Sequence, residues 1–256
     1  MSRSALVVLV AGLLFGGTAA AQTSTPAKGP AKGTPKPTTS APKAPVNASA
    51  DAPSRKNSGI FTGGLQVGYY DGMSVHGSIT FDNISDAFPL GLRFGYGVTW
   101  SNAGDALAAR RVFIDNNTNG TARQHGKNSD LRFDVTHPVK VFKLQNTKAF
   151  GGVRWNDYTG YFEYIGGNET FDVNGNQWGV GGGLETAYAL SPLVDLTFSV
   201  GLDYFFKSQL NGHDSYYWPD GTDTNGIGNY TYADADEAIN QRDFDLRTLM
   251  GVSYKF

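Results

Sequence analysis

The chain has 256 residues, no cysteine and a formal net charge of -2, with a mean hydropathy of -0.31. Without cysteine there are no disulfide staples, no thiolate metal sites and no lipidation at a cleavage site. No window beyond the first residues stays apolar for the roughly 18 residues a membrane helix needs, while 33 glycines, 13 tyrosines and 16 phenylalanines suit alternating strands better than packed helices.

Arg3 precedes an apolar run from Ala5 to Phe15, and Ala19-Ala20-Ala21 supplies small residues for cleavage. Residues 1–21 therefore read as a secretory signal peptide, too short to span a bilayer as a helix. Residues 22–57 are mostly Pro, Ala, Lys, Thr and Ser, too poor in large apolar groups to fold, and read as a disordered linker. Lys28, Lys32, Lys36, Lys43, Arg55 and Lys56 stand there against Asp51 alone. A basic arm of this kind is a solvated spacer first, and a contact to an anionic partner such as the cell wall second.

From residue 58 to 256 the period is two. Leu65, Val67 and Tyr69 alternate with Gln66 and Gly68; Asp71-Gly72 makes a tight turn; Met73, Val75, Ile79 and Phe81 alternate with Ser74, His76, Ser78 and Thr80. Leu90 to Trp100 repeats the pattern against Gly91, Arg93, Gly95, Gly97 and Thr99. Residues 102–128 lose it and read as a long loop with a short helical turn at Ala106 to Arg111. Leu131, Phe133, Val135, Val139 and Val141 then oppose Arg132, Asp134 and Thr136. A fifth strand from Lys148 sets Val153 and Trp155 opposite Arg154 and Asn156, with Gly151-Gly152 as a candidate bulge. Its facing beyond Asp157 is not fixed by the pattern, and 158–175 is a strand extension or a loop. Trp178 to Leu190 and Val194 to Tyr204 form a hairpin around Ser191-Pro192, a loop spans 206–241, and Phe244 to Phe256 is the last strand.

The fold predicted is an all-β, closed, antiparallel, up-and-down transmembrane barrel of eight strands. Sidedness follows from volume: far more large apolar side chains lie on one face than so narrow a barrel can enclose. They must face outward, where in water they would make a very large apolar patch. The opposite face, rich in Gly, Ser and Thr, suits a cramped interior. Short connections alternate with long ones, which puts both termini in the periplasm and the long loops outside.

This pattern, with the closing GVSYKF, resembles the small outer-membrane barrels typified by the OmpA transmembrane domain, OmpX and the opacity proteins. In that resemblance Met250, Val252, Tyr254 and Phe256 look like the C-terminal signal presented to the barrel-insertion machinery. The implied location is the cell outer membrane.

Counting from the turns puts Arg93, Arg154, Glu185 and Asp195 low in the lumen and Arg132, Asp134, Asp203 and Arg247 higher. Charges in such a space are tolerated when paired, so these residues are expected to form a polar network that closes the interior. No cofactor motif is present. His76, His125, His137 and His213 are scattered, so no catalytic constellation is read and an enzyme is not expected, a lipid-modifying barrel hydrolase being the minor alternative. Asp115, Asn117, Asn119 and Gly120 match half of a calcium loop but lack its closing Glu, which favours an Asn/Gly turn. Nucleic acid is excluded as a partner, because the only basic run is the linker. The reading is a structural or surface-interaction barrel embedded in outer-membrane lipid, with loops free to meet a surface ligand; the alternative is a passive pore for small solutes.

Overall fold

The computed structural model describes residues 61–84, 90–115, 117, 119–167, 169–213, 215–224 and 230–256. The signal-peptide and linker expectations for 1–57 lie outside them. Eight long strands close into an antiparallel barrel: β1 (Phe61–Tyr70), β2 (Met73–Phe81), β3 (Gly91–Ser101), β4 (Thr121–Pro138), β5 (Lys148–Ile165), β6 (Glu169–Ala189), β7 (Val194–Phe205) and β10 (Phe244–Lys255). Each pairs with its sequence neighbour, and β10 closes the ring between β1 and β7. Between β7 and β10 the chain adds a short ribbon, β8 (Leu210–Gly212) and β9 (Ser215–Tyr217), and helix α2 (Tyr232–Ala238); helix α1 (Ala106–Phe113) lies between β3 and β4.

The β1–β2 turn is as tight as expected, with Asp71 at φ 54° and Gly72 at φ 149°. A Cβ on Gly72 would stand 2.1 Å from the Trp100 carbonyl oxygen, so only glycine lets the turn pack there.

Three expectations are corrected. The stretch 102–128 is not all loop, because β4 begins at Thr121. Val139 and Val141 lie beyond β4, in the turn before β5. Gly151-Gly152 hides no bulge: β5 pairs residue for residue with β4 and β6 across it. The uncertain stretch 158–175 is strand, turning tightly around Gly166 at φ 85°.

The strands differ greatly in length. β1 and β2 have 10 and 9 residues, whereas β4, β5 and β6 have 18, 18 and 21. The three long strands therefore rise past the rest of the wall on one side.

The wall carries its apolar groups outward. Leu65, Val67, Tyr69, Phe94, Tyr96, Leu131, Phe133, Val153, Trp178, Leu202 and Met250 are all exposed. Along β4, β5 and β6 this belt stops abruptly. The cross-strand row Leu131–Trp155–Trp178 is apolar; the next outward row, Ser129–Asp157–Asn176, is polar. Above it the sides reverse: Tyr158, Phe162, Tyr164, Phe171 and Val173 point inward and are buried.

Those inward rings support a second apolar core, a cap over the barrel mouth. They pack with Ala106, Ala109, Val112 and Phe113 of α1, Leu210 and Tyr217 of the ribbon, and Tyr232, Ala235 and Ala238 of α2. Asp105 caps α1 by accepting from the Leu107 and Ala108 amides at 2.9 and 3.0 Å. The two cap segments are laced together by Asp105 N–H to Ala238 O and Asn240 N–H to Ala103 O, both 2.9 Å.

Candidate functional site

The lumen and the cap above it hold nearly all the buried charge among the described residues, in layers. Nearest the end where β1 starts and β10 stops, Lys148 reaches Asp82 at 2.6 Å and Lys255 reaches Asp195 at 2.7 Å. Slightly deeper, Arg93 meets Glu185 at 2.6 Å, while Gln66 donates to both Glu185 and Thr197 at 3.1 Å. These groups line a polar vestibule of about 320 Å³ open toward that end.

Beside Arg93 lies Phe150, 5% exposed, on the inward face of β5. Arg93, Arg132 and Arg247 surround the ring, their guanidinium carbons 5.6, 6.0 and 5.1 Å from its centroid. A Cβ on Gly183, the register partner of Phe150 on the neighbouring β6, would come within 2.7 Å of Phe150 Cζ, so the ring lies in a niche along the wall that glycine leaves free. Cations against an aromatic face are favourable, the more so when dry.

The central layer follows. Arg154 joins Asp134 at 2.7 Å and Asp203 at 2.8 Å, Arg247 approaches Asp203 at 3.2 Å, and Arg132 lies 3.6 Å from Asp134. Arg154, Arg247 and Asp203 are fully buried. Such a cluster is tolerable because each carboxylate touches more than one guanidinium.

A third layer comes from above. Arg242, in the segment after α2, descends into the barrel and meets Asp130 at 3.2 Å and Asp245 at 3.4 Å. It also donates to Thr99 Oγ1 at 3.0 Å and to the Tyr70 carbonyl at 3.3 Å, with its guanidinium carbon 3.8 Å from the Tyr70 ring centroid. Gln177 donates to the Arg242 carbonyl at 2.7 Å, which fixes the descending chain. His76 adds its Nδ1 3.7 Å from Asp130.

The cap completes the stack. Tyr158 and Tyr217 donate to the carbonyls of Ala103 and Val112 at 2.8 and 2.6 Å, and Tyr164 donates to that of Ala106. Burial pushes the Tyr164 hydroxyl from 10.0 up to about 12, which keeps it a donor. Arg110 lies over the Tyr164 ring at 4.4 Å and pairs with Glu169 and Asp115.

Seven of the eight residues expected in the lumen meet another of the eight. Arg93 pairs with Glu185, and Arg132, Asp134, Arg154, Asp203 and Arg247 cluster together, whereas Asp195 meets only Lys255. Arg154 is not low beside Asp195 but central. β4 ends at Pro138 rather than past Val141, so Arg132 is the register partner of Arg154. Asp130, Arg242, Lys148, Asp82, Lys255 and Phe150 were not expected there, while His76 and Asp245, on the polar faces of β2 and β10, were not foreseen as members of the network. Asp130 continues the polar face set by Arg132 and Asp134, a signal that the sequence carried.

Met250, Val252, Tyr254 and Phe256 all face outward and are exposed. The Phe256 ring meets Tyr254 at 4.9 Å and Phe61 at 5.0 Å, and its amide donates to the Phe61 carbonyl at 3.0 Å. His125 stacks on Tyr161 at 4.7 Å outside the cap. Asn117 and Asn119 donate backbone amides to the side chains of Asp115 and Asn117 at 2.8 and 3.0 Å, the geometry of successive Asx turns. Among the described residues no group of three or more His, Cys, Asp or Glu side chains is set to hold a metal ion.

Fold and site together define a closed eight-stranded barrel, apolar outside, ion-paired inside and capped at one mouth. No family model and no curated protein matches the chain. Among solved structures, it is similar to a major outer membrane protein from Thermus thermophilus, with a TM-score of 0.63, 23% identity, and coverage of 78% of this chain and all of that one. That likeness is one of fold. Neisserial surface protein A aligns at TM-score 0.36 and 14% identity over 77% of this chain and 96% of its own. The outer membrane protease OmpT from Escherichia coli aligns at 0.37 and 13% over 75% and 65%.

Proposed function

We propose that this chain is an outer-membrane barrel of the small OmpA-, OmpX- and opacity-like kind, working as a closed, non-enzymatic scaffold that displays its cap at the cell surface. The observation that carries the reading is the reversal of sides at the Ser129–Asp157–Asn176 row. An apolar belt facing outward below that row has a stable solvent only in lipid, while above it an ordinary buried core implies water outside. Both termini then lie in the periplasm. Phe256, Tyr254, Val252 and Met250, in alternation at the end of β10, are offered to the insertion machinery, and the basic segment 22–57 is free to touch the cell wall.

A silent lumen follows from the stacking of Phe150, the Arg154 cluster and the Arg242 layer. Opening a path means separating buried charges that hold one another, which costs several kcal/mol per broken pair, on the order of 3–5. The test is planar-bilayer conductance of the refolded protein. The expected result is no steps above background; steady ion current through the unmodified barrel would replace the scaffold with the passive pore.

A further inference from the structure

On the outer surface of the cap, beside the belt edge, Asn176, Lys207, Ser208, Gln209, Asn211, Trp218 and Pro219 line a groove of about 320 Å³. Its position is set by strand register. Asn176 belongs to the first polar row above the belt, two residues from Trp178, and the Phe206 amide donates to the Trp178 carbonyl at 2.8 Å. Immediately below the groove is therefore an aromatic shelf of Trp178, Tyr204 and Phe206, all exposed, with the last two rings edge to face at 5.5 Å. Above it stands Trp218, itself exposed, on a turn held by its own amide donating to Asp223 at 2.9 Å and by Gly221 N–H donating to its carbonyl at 3.0 Å.

We propose that this groove binds the saccharide headgroup of a neutral glycolipid, one sugar ring lying on the Trp218 indole and its acyl chains running down over Trp178 and Phe206. The chemistry fits in three ways. An indole face takes the apolar C–H side of a sugar ring, as it takes other flat partners. Amides at Asn176, Gln209 and Asn211 can both donate and accept, which is what hydroxyl groups require, and Asn211 Oδ1 has no hydrogen-bond partner among the described residues. The one cation lining the groove among the described residues is already engaged: Lys207 Nζ lies 2.5 Å from Asp236 Oδ2 and 5.8 Å from the Tyr232 ring centroid. A groove whose ammonium is spoken for favours a neutral sugar over a phosphate. A polar slot directly over an apolar shelf, at the height where the bilayer changes from tails to headgroups, is the shape of a two-part amphiphile.

The inference rests on the outer-membrane reading but fails separately from it. The full mature barrel is refolded into vesicles of phosphatidylcholine carrying monoglucosyl diacylglycerol, extracted in detergent, and weighed by native mass spectrometry. The expected result is a one-to-one glucosyl lipid adduct, reduced about ten-fold by Trp218→Ala, a loss equivalent to one decade of affinity, and similarly by Asn176→Leu, which sits on β6 and leaves the cap core untouched. Phosphatidylglycerol in place of the glucosyl lipid should leave no adduct, and methyl glucoside in excess should not displace the glycolipid fully. Retention unaffected by Asn176→Leu, equal retention of phosphatidylglycerol, or binding of methyl glucoside as tightly as the lipid would each overturn the proposal. A barrel that inserts and is silent yet retains no glucosyl lipid sinks this inference alone.

Discussion

The two halves of β5 obey opposite rules. Below Asp157 its inward groups are Arg154 and Asn156 and its outward ones Val153 and Trp155; above it the inward groups are Tyr158, Phe162 and Tyr164, while the outer face mixes exposed Asp157 and Glu163 with Tyr161 and Ile165. The backbone does not change, and neither does the period of two. On the outer-membrane reading proposed above, what changes is the medium outside the wall, so the same alternation places most apolar groups outward in one stretch and inward in the next. The comparison separates what the barrel wall contributes, a surface matched to lipid around a polar filling, from what the cap contributes, a small water-soluble core anchored on strand extensions.

The largest effect is expected in the filling. Arg154→Met leaves Asp134 and Asp203 with less positive charge in a buried space and should cost about 3–5 kcal/mol, read as a lower urea midpoint for the vesicle-inserted protein. In the cap, Phe162→Ala should cost a similar about 3–5 kcal/mol locally. There the readout is selective: protease cleavage between β3 and β4 and between β7 and β10 should rise, while the urea midpoint of the wall stays near that of the parent. A shift of both together would mean that wall and cap are one cooperative unit.

Charge placed on the outer face should find the boundary itself. Val153→Arg, in the middle of the belt, is expected to lose about 2–4 kcal/mol, whereas Asp157→Arg, four residues along the same face, should stay within about 0.5 kcal/mol of the parent. Equal costs would erase the boundary.

The smallest effect concerns Tyr164. Its folded-state pKa, raised by burial from 10.0 to about 12, means that the folded cap holds this proton more tightly than the unfolded chain does. The stabilisation is complete below pH 10 and is lost as pH rises toward 12. Protease resistance of the cap should decline over that window, and less steeply in Tyr164→Phe, which lacks the titrating group but gives up one hydrogen bond, about 1 kcal/mol, at neutral pH.

Strand number, sidedness and the β1–β2 and β6–β7 hairpins were legible because period-two alternation and turn residues are local signals. The facing of β5 past Asp157 was not, since the parity of its apolar residues switches there and a single rule for the whole strand fails at the switch. In the lumen, Arg93 with Glu185 was foreseeable from parity and height; parity also turned Arg154 inward, but its height, and so its partners Asp134 and Asp203, were missed because the alternation misplaces the end of β4. Arg242 was hidden because it comes from a loop, and nothing local says that a loop residue will descend into a barrel. Phe150 was hidden for the opposite reason: it is an apolar residue on the polar face, and its purpose is visible only with Gly183 and Gly201 beside it.

The most direct measurement of the central claim is fluorescence quenching by brominated phosphatidylcholine in variants that keep one tryptophan each. With the other tryptophans changed to phenylalanine, Trp155 and Trp178 below the boundary should be strongly quenched by the lipid tails, and Trp218 above it should not. Unquenched Trp155 and Trp178 in a correctly folded, vesicle-bound protein would contradict the account.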